Sequence, residues 1–276
     1  AWNDVFSKDK YRIMISCIAD NFPQKKSVRV DYADINAMSV DFAMFVLDEP
    51  DRCIEIAKRT VMSLVPNISR PGESINVRIF NLPRDAKVDI RNLRADHLRK
   101  LVAVDGLARK VTTVRPRMTH ALFRCARCGS EIWVEQPGMI LKEPLMCNNP
   151  ESGCNKQSTR FILDEKASSY IDTQKIEIQE SPEGLRGGAQ PERITGYVED
   201  DIAGVVTAGN RVTLNGILRS AEKNERDKST VFEIYLDVVS VEFEQHEYDE
   251  IVITEDDEKQ ILEMSMDPML YENIVK

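Results

Sequence analysis

Cys125-Ala126-Arg127-Cys128-Gly129 sets two thiols with two residues between them, and a second pair, Cys147 and Cys154, follows after 18 residues. Four cysteines inside 30 residues constrain this chain more than any other feature, because thiolates at such spacings close a tetrahedron around zinc. Gly129 lets backbone N–H groups turn toward the sulfurs. The pattern reads as a four-cysteine zinc ribbon with one irregularity: six residues separate the second pair, so its turn must bulge through Asn148 to Gly153. Four protein ligands leave no position open for water, which makes the expected zinc structural and not catalytic. A structural zinc contributes roughly 10–16 kcal/mol in small finger peptides, enough to order a segment that has few apolar residues. The other two cysteines stand alone. Cys53 belongs to the helical stripe Cys53, Ile56, Ala57, Thr60, Val61, Leu64 and Cys17 to a similar apolar segment, so both are read as core residues, and no disulfide framework is expected.

A chain of 276 residues, 42% apolar and 30% charged, can bury a core and suits two or three small domains. No apolar run approaches the roughly 20 residues a membrane span requires, and Ala1-Trp2-Asn3-Asp4 lacks the basic and apolar regions of a secretion signal. An intracellular protein with no membrane partner is expected. The net charge of -9 argues against a nucleic-acid partner until its distribution is considered. Residues 242–276 carry twelve Asp/Glu against two Lys, whereas Arg84 to Arg127 carry twelve Lys/Arg against four Asp. The acidity belongs to the tail, and the middle of the chain can form a basic face.

Amphipathic periodicity predicts helices near 3–20, 40–47 and 50–65, the last opened by Pro50 and Asp51 and stopped at Pro66. Ile75, Val77 and Ile79 form the first strand-like alternation. From residue 98 onward the texture is β: 102–114, 121–125, 170–179, 193–198, 211–218 and 231–243 are rich in Val, Ile, Thr and aromatics between turn residues. About five strands suit a small barrel of the OB type, with a generic β-sandwich equally allowed by strand counting. The cysteine-rich insertion and the loop Ser181 to Pro191 interrupt these strands.

Catalytic signatures are missing from the sequence. There is no Gly-Lys dipeptide and hence no Walker A loop, and His97, His120 and His246 are scattered. Arg115-Pro116-Arg117 sets two guanidinium groups beside a rigid bend, suited to bridging successive phosphates. The polar segment Arg219 to Thr230 between two strong strands predicts a projecting β-finger with Lys223, Arg226 and Lys228 near its tip, although Glu222, Glu225 and Asp227 nearly cancel their charge.

In order along the chain, Leu101-Val102-Ala103-Val104-Asp105-Gly106-Leu107-Ala108-Arg109, Val114 to Arg117, Ile178-Gln179-Glu180-Ser181-Pro182-Glu183, Gly187 to Pro191, Gly216-Ile217-Leu218-Arg219 and Asp267-Pro268 with Tyr271 resemble the N-terminal half of minichromosome maintenance replicative helicases. The resemblance implies a mixed, multi-subdomain fold: a helical subdomain over 1–97, an OB-fold barrel over 98–123 and 161–250 with a long hairpin at 219–230, a zinc ribbon insertion over 124–160, and a linker over 251–276 toward an ATPase domain that is absent here. It implies no enzymatic activity for this segment, with ATP and Mg2+ bound only by that motor domain. It implies DNA as partner, single-stranded first and double-stranded second, and self-assembly into homo-hexamers, with the ribbons in head-to-head contact where two rings form a double hexamer. Arg115 and Arg117 match the family's DNA-binding residues, with Lys175 and Arg193 as further matches. The resemblance also gives Lys223, Arg226 and Lys228 a role in the channel and lets the 180–193 loop communicate with the motor. An archaeal, homomeric member fits the absence of a long charged N-terminal extension; its location would be cytoplasm or nucleoid, against the nucleus for a eukaryotic member. The rival readings are a stand-alone OB-fold and zinc-ribbon adaptor that binds single strands by stacking, and a zinc enzyme, which would need an open metal position.

Overall fold

A computed structural model describes residues 1–65, 74–138, 140–149, 153–156, 160–181, 190–222 and 230–244. The chain begins with α1 (Trp2–Phe6), α2 (Asp9–Asn21), β1 (Ser27–Asp31), α3 (Tyr32–Asn36), α4 (Val40–Asp48), α5 (Pro50–Leu64) and β2 (Asn76–Phe80). Local chemistry sets these boundaries. Asp31 caps α3 by accepting the Ala33 N–H, Ser39 caps α4 by accepting the Phe42 N–H, and Pro50 occupies the first turn of α5, where its missing N–H costs nothing. In α5 the buried stripe is Cys53, Ala57 and Val61, so Cys53 is a core residue, as its spacing predicts. Cys17 is not. In α2 the buried side is Tyr11, Ile15 and Ile18, which turns Cys17 to a half-buried edge and leaves Ile13 71% exposed.

The helices enclose a two-stranded parallel sheet in which Val28 and Val30 of β1 sit in register with Val77 and Ile79 of β2. In β2 the alternation expected of a half-buried strand breaks down, because Asn76 and Arg78 are buried as well as Val77 and Ile79. One face of β2 meets the helices. The other meets β9 (Phe232–Phe243) and the turn after β7 (Arg193–Glu199), where Arg78 donates to Asp201 and to the carbonyls of Val239 and Glu199, and Asn76 donates to Asp200 at 2.7 Å. Leu101, Ile217 and Val239 extend the helical core onto the strands behind it.

Those strands form a closed barrel. β3 (Leu101–Val111) pairs with β8 (Arg211–Glu222), β8 with β9, β9 in parallel with β7, β7 with β6 (Phe161–Gln179), and β6 back with β3. Five strands in this order make an OB-like barrel, filled by Val102, Val104, Ala108, Ile176, Ile178, Ile194, Val198, Val212, Leu214, Leu218, Leu236 and Val238. Because the side-chain period is two, Lys175, Glu177, Thr195 and Tyr197 then face outward.

β6 is 19 residues long and serves two structures. Its C-terminal half belongs to the barrel. Its N-terminal half leaves the barrel and pairs with β4 (Arg115–Cys125), which pairs in turn with β5 (Glu131–Glu135). This arm carries the cysteines away from the barrel. Among the described residues no helix is long and apolar enough to cross a membrane.

Candidate metal centre and nucleic-acid face

At the end of the arm the four cysteine sulfurs all lie within 4.8 Å of one another. Cys125 and Cys154 are 3.9 Å apart and Cys128 and Cys147 are 3.5 Å apart. A tetrahedron with metal–sulfur bonds of about 2.3 Å has edges of roughly 3.8 Å, so the residues fit a zinc ion. The knuckle is built by local hydrogen bonds, Gly129 N–H to the Cys125 carbonyl at 2.8 Å and Cys125 N–H to the Ser130 carbonyl at 3.0 Å, with Gly129 at φ +75°. Residues 150–152 of the turn expected to bulge between the second pair lie outside the described residues. Cys147 N–H bonds the Lys156 carbonyl, Asn155 N–H bonds the Cys147 carbonyl, and a side chain at Gly153 would lie 2.5 Å from the Asn149 carbonyl oxygen.

The Ser130 hydroxyl lies 2.8 Å from the Cys128 sulfur and 3.1 Å from that of Cys147. Its hydrogen bonds pull the Cys128 thiol down to about 5 and lower that of Cys147. The Lys156 N–H also favours the Cys154 thiolate, but burial and the neighbouring thiols push Cys154 up to about 11. Four thiolates packed this closely cannot share one negative cluster without a cation among them. Among the described residues only Ile132, Val134 and Phe161 supply apolar packing around the cysteines. At about 2 kcal/mol per buried side chain, they do not offset the roughly 1–2 kcal/mol per residue that ordering this segment costs.

The basic residues separate into two environments. Arg115 is exposed on β4, in register with Thr173 of β6, and makes no ion pair among the described residues. Lys175 follows on the outer face of β6 opposite Tyr197, its ammonium 6.0 Å from the ring centroid, and Tyr197 meets Tyr235 edge-on at 5.4 Å. Arg193 is exposed on β7 and holds Glu177 at 3.5 Å. The outer face of β6 and β7 therefore brings Arg115, Lys175 and Arg193 onto one surface.

Arg117 departs from the expected pair. Its side chain is 16% exposed, its guanidinium donates to Glu199 at 2.9 Å and to the Gln136 carbonyl at 3.3 Å, and it does not stand beside Arg115 as a second open fork. Glu199 reaches it from 82 positions along the chain, which no local motif announces. Arg109 and Lys110 were missed by sequence reasoning. A bulge in β3 between Ala108 and Lys110 breaks the alternation, and both side chains emerge exposed, Lys110 opposite Glu177 and Arg109 against Gln179. Lys223, Arg226 and Lys228 lie outside the described residues, as do residues 251–276. The β8–β9 ladder leading to that hairpin runs to the Glu222–Phe232 pair, with Val231, Phe232 and Ile234 exposed beyond the barrel.

The base of the loop after β6 is held by a buried carboxylate. Glu180, 8% exposed, accepts hydrogen bonds from the backbone and guanidinium of Arg91 and from the Glu192 N–H, while its own N–H donates to the Glu192 carbonyl. The Arg91 guanidinium holds its carboxyl down at about 2. Both ends of the loop are thus tied to one residue.

Comparison with known proteins agrees with this architecture. Residues 3–83 match the profile of the MCM N-terminal domain and residues 89–222 that of the MCM OB domain. The chain is 30% identical over 263 residues to the minichromosome maintenance protein MCM of Saccharolobus solfataricus, covering 91% of this chain and 37% of that protein. It is 27% identical over 207 residues to the DNA replication licensing factor mcm4 of Schizosaccharomyces pombe, covering 70% and 22% respectively. The chain thus spans about a third or less of the curated relatives it matches. A crystal structure of the N-terminal domain of an archaeal MCM superimposes with a TM-score of 0.77 at 31% identity, covering 88% of this chain and 97% of that one. With two adjoining profiles matched in order and a solved relative sharing the fold, the chain belongs to the minichromosome maintenance family and comprises its N-terminal and OB domains.

Proposed function

We propose that this chain is the DNA-binding and ring-assembling N-terminal region of an ATP-dependent replicative helicase. The observation that carries the reading is the exposed basic surface on the outer wall of the barrel, where Arg115, Lys175, Arg193 and Lys110 stand on neighbouring strands with Tyr197 among them. Guanidinium and ammonium groups spaced along strands meet successive phosphates, and a tyrosine between them offers a face to an unpaired base. Arg117 acts from the side of this surface through its pair with Glu199, and Lys223, Arg226 and Lys228 add a second DNA contact from the hairpin.

The subdomain division of the proposal is a helical part over 1–97, a barrel over 98–123 and 161–250, a ribbon over 124–160 and a linker over 251–276. Cys125, Cys128, Cys147 and Cys154 hold a structural Zn2+. Bound there, the ion neutralises the thiolates and cross-links the knuckle to the second turn, and it leaves no coordination position for substrate. Six copies enclose DNA, single-stranded and in part duplex, with ribbons meeting between two rings. ATP hydrolysis belongs to a motor domain outside this chain, whose signal passes through the loop held by Glu180.

Light scattering on the chain with and without a single strand of about 40 nucleotides tests the assembly. Hexamer-sized particles that bind the strand are expected. A monomer at all concentrations that binds DNA unchanged would favour the adaptor reading, an OB-fold and ribbon acting alone.

A further inference from the structure

The outward side chains of the barrel strands stand in cross-strand rows. In one row Lys175 of β6 faces Tyr197 of β7; in the next, Thr195 of β7 faces Tyr235 of β9, which in turn faces Arg219 of β8. Arg115, opposite Thr173, stands one row before Lys175, so the two cations are separated along the wall by two residues, about 6.7 Å. Beyond Tyr235 the wall is covered. Ile217 and Val239 belong to the helical core, and Arg219 is tied to Asp51 of α5 and to Asp237. Tyr197 therefore stands at a border, with open cationic wall on one side and the helical layer on the other.

Tyr235 meets Tyr197 edge-on, with ring centroids 5.4 Å apart and planes at 90°, and this contact fixes the plane of Tyr197. The Lys175 ammonium lies over the Tyr197 ring, 6.0 Å from its centroid. Its side chain is exposed and makes no ion pair among the described residues. A cation–π contact at an exposed site is weak, and a phosphate attracts an ammonium on a flexible stem more strongly than a ring does. When Lys175 turns to a phosphate, it uncovers the ring face that it shields. An unpaired base of the same strand can then lie on that face. Duplex DNA offers the wall its phosphates but keeps its bases paired and stacked inside.

We propose that Lys175 and Tyr197 form an exchangeable pair that selects single strands over duplex DNA. Lys175 leaves the ring for a phosphate, one base takes its place on Tyr197, and Tyr235 acts as a positioning residue that holds the ring in its plane. The inference rests on the reading of the basic wall as the strand-binding surface, and adds to it the feature by which that wall distinguishes an unpaired strand.

The test is the affinity of the whole chain for three fluorescent probes of about 40 nucleotides: a single strand, a fully abasic strand and a duplex. Tyr197→Leu is expected to lose about tenfold on the single strand and nothing on the other two, with an unchanged salt slope because no phosphate contact is removed. Tyr197→Phe keeps the ring and should bind as wild type does. Tyr235→Leu should lose a smaller part of the same preference, recovered in Tyr235→Phe, with abasic binding unchanged. A Tyr197→Leu chain that binds the single strand as tightly as wild type, or that weakens equally on all three probes, would overturn the proposal and leave the wall as a surface for phosphates alone. Wild type that binds none of the probes would overturn the strand-binding reading together with it.

Discussion

Glu180 and Arg117 are charged residues whose importance lies in partners far away in sequence. Glu180 replaced by Gln keeps its shape but loses the charge that receives Arg91, and charge-assisted bonds of this kind predict a cost of about 2 kcal/mol. Its pKa is depressed in the folded chain, so the stabilisation is complete above the unfolded carboxylate range near pH 4 and disappears as pH falls through about 2. Urea midpoints of wild type and Glu180→Gln should therefore differ by a constant amount above about pH 5 and converge toward about pH 2. A gap that persists undiminished at the acid end would show that Arg91 is not its cause. The four clustered cysteines were legible because their spacing is local and their chemistry narrow, whereas Cys17, read as core, is only half-buried. Arg117 was legible as a basic residue but not as a buried one, since Glu199 and Gln136 reach it from other strands.

The strands of the barrel were foreseen within a few residues because alternating Val, Ile and Thr reports burial on one face. Two strands escaped in whole or in part, as did the short helix α3. β1 pairs with β2, which lies beyond three intervening helices, and is too short to stand out from the helices that flank it. β6 was seen only as its barrel half, because its other half is paired on an arm with polar residues on both faces. β2 was foreseen as a strand but not as one buried on both sides, and the reason is Arg78. Removing that side chain leaves Asp201 without its guanidinium and two carbonyls without a donor, so Arg78→Ala should destabilise the chain by about 3 kcal/mol. A loss below about 0.5 kcal/mol in urea unfolding would mean that the polar contact between helical layer and barrel contributes nothing. The arm makes its own prediction. Elemental analysis should find one zinc per chain, and Cys128→Ser or a strong chelator should remove it and expose residues 124–160 to protease while the barrel stays folded. Unchanged melting and full zinc content in Cys128→Ser would refute the tetrathiolate site.

For the molecule as a whole, the formal charge of -9 would steer a reader away from DNA, yet the fold gathers basic residues of β3, β4, β6 and β7 on one wall of the barrel while the acidic residues concentrate in the tail. Net charge is a property of composition; a binding face is a property of register, and only the alternation of β6 and β7 decides that Lys175 and Arg193 share a surface with Arg115. The family could be read from motifs in order, whereas the position of its basic residues could not. The most direct measurement is the affinity of the chain for a fluorescent single strand of about 40 nucleotides across a salt series, for wild type and for Arg115→Ala/Lys175→Ala. The account predicts that the double variant binds at least tenfold more weakly, with a log–log salt slope smaller by about 1.4, two phosphates at about 0.7 each. Equal affinity and equal slope in the two proteins would contradict it and move the DNA away from this face of the barrel.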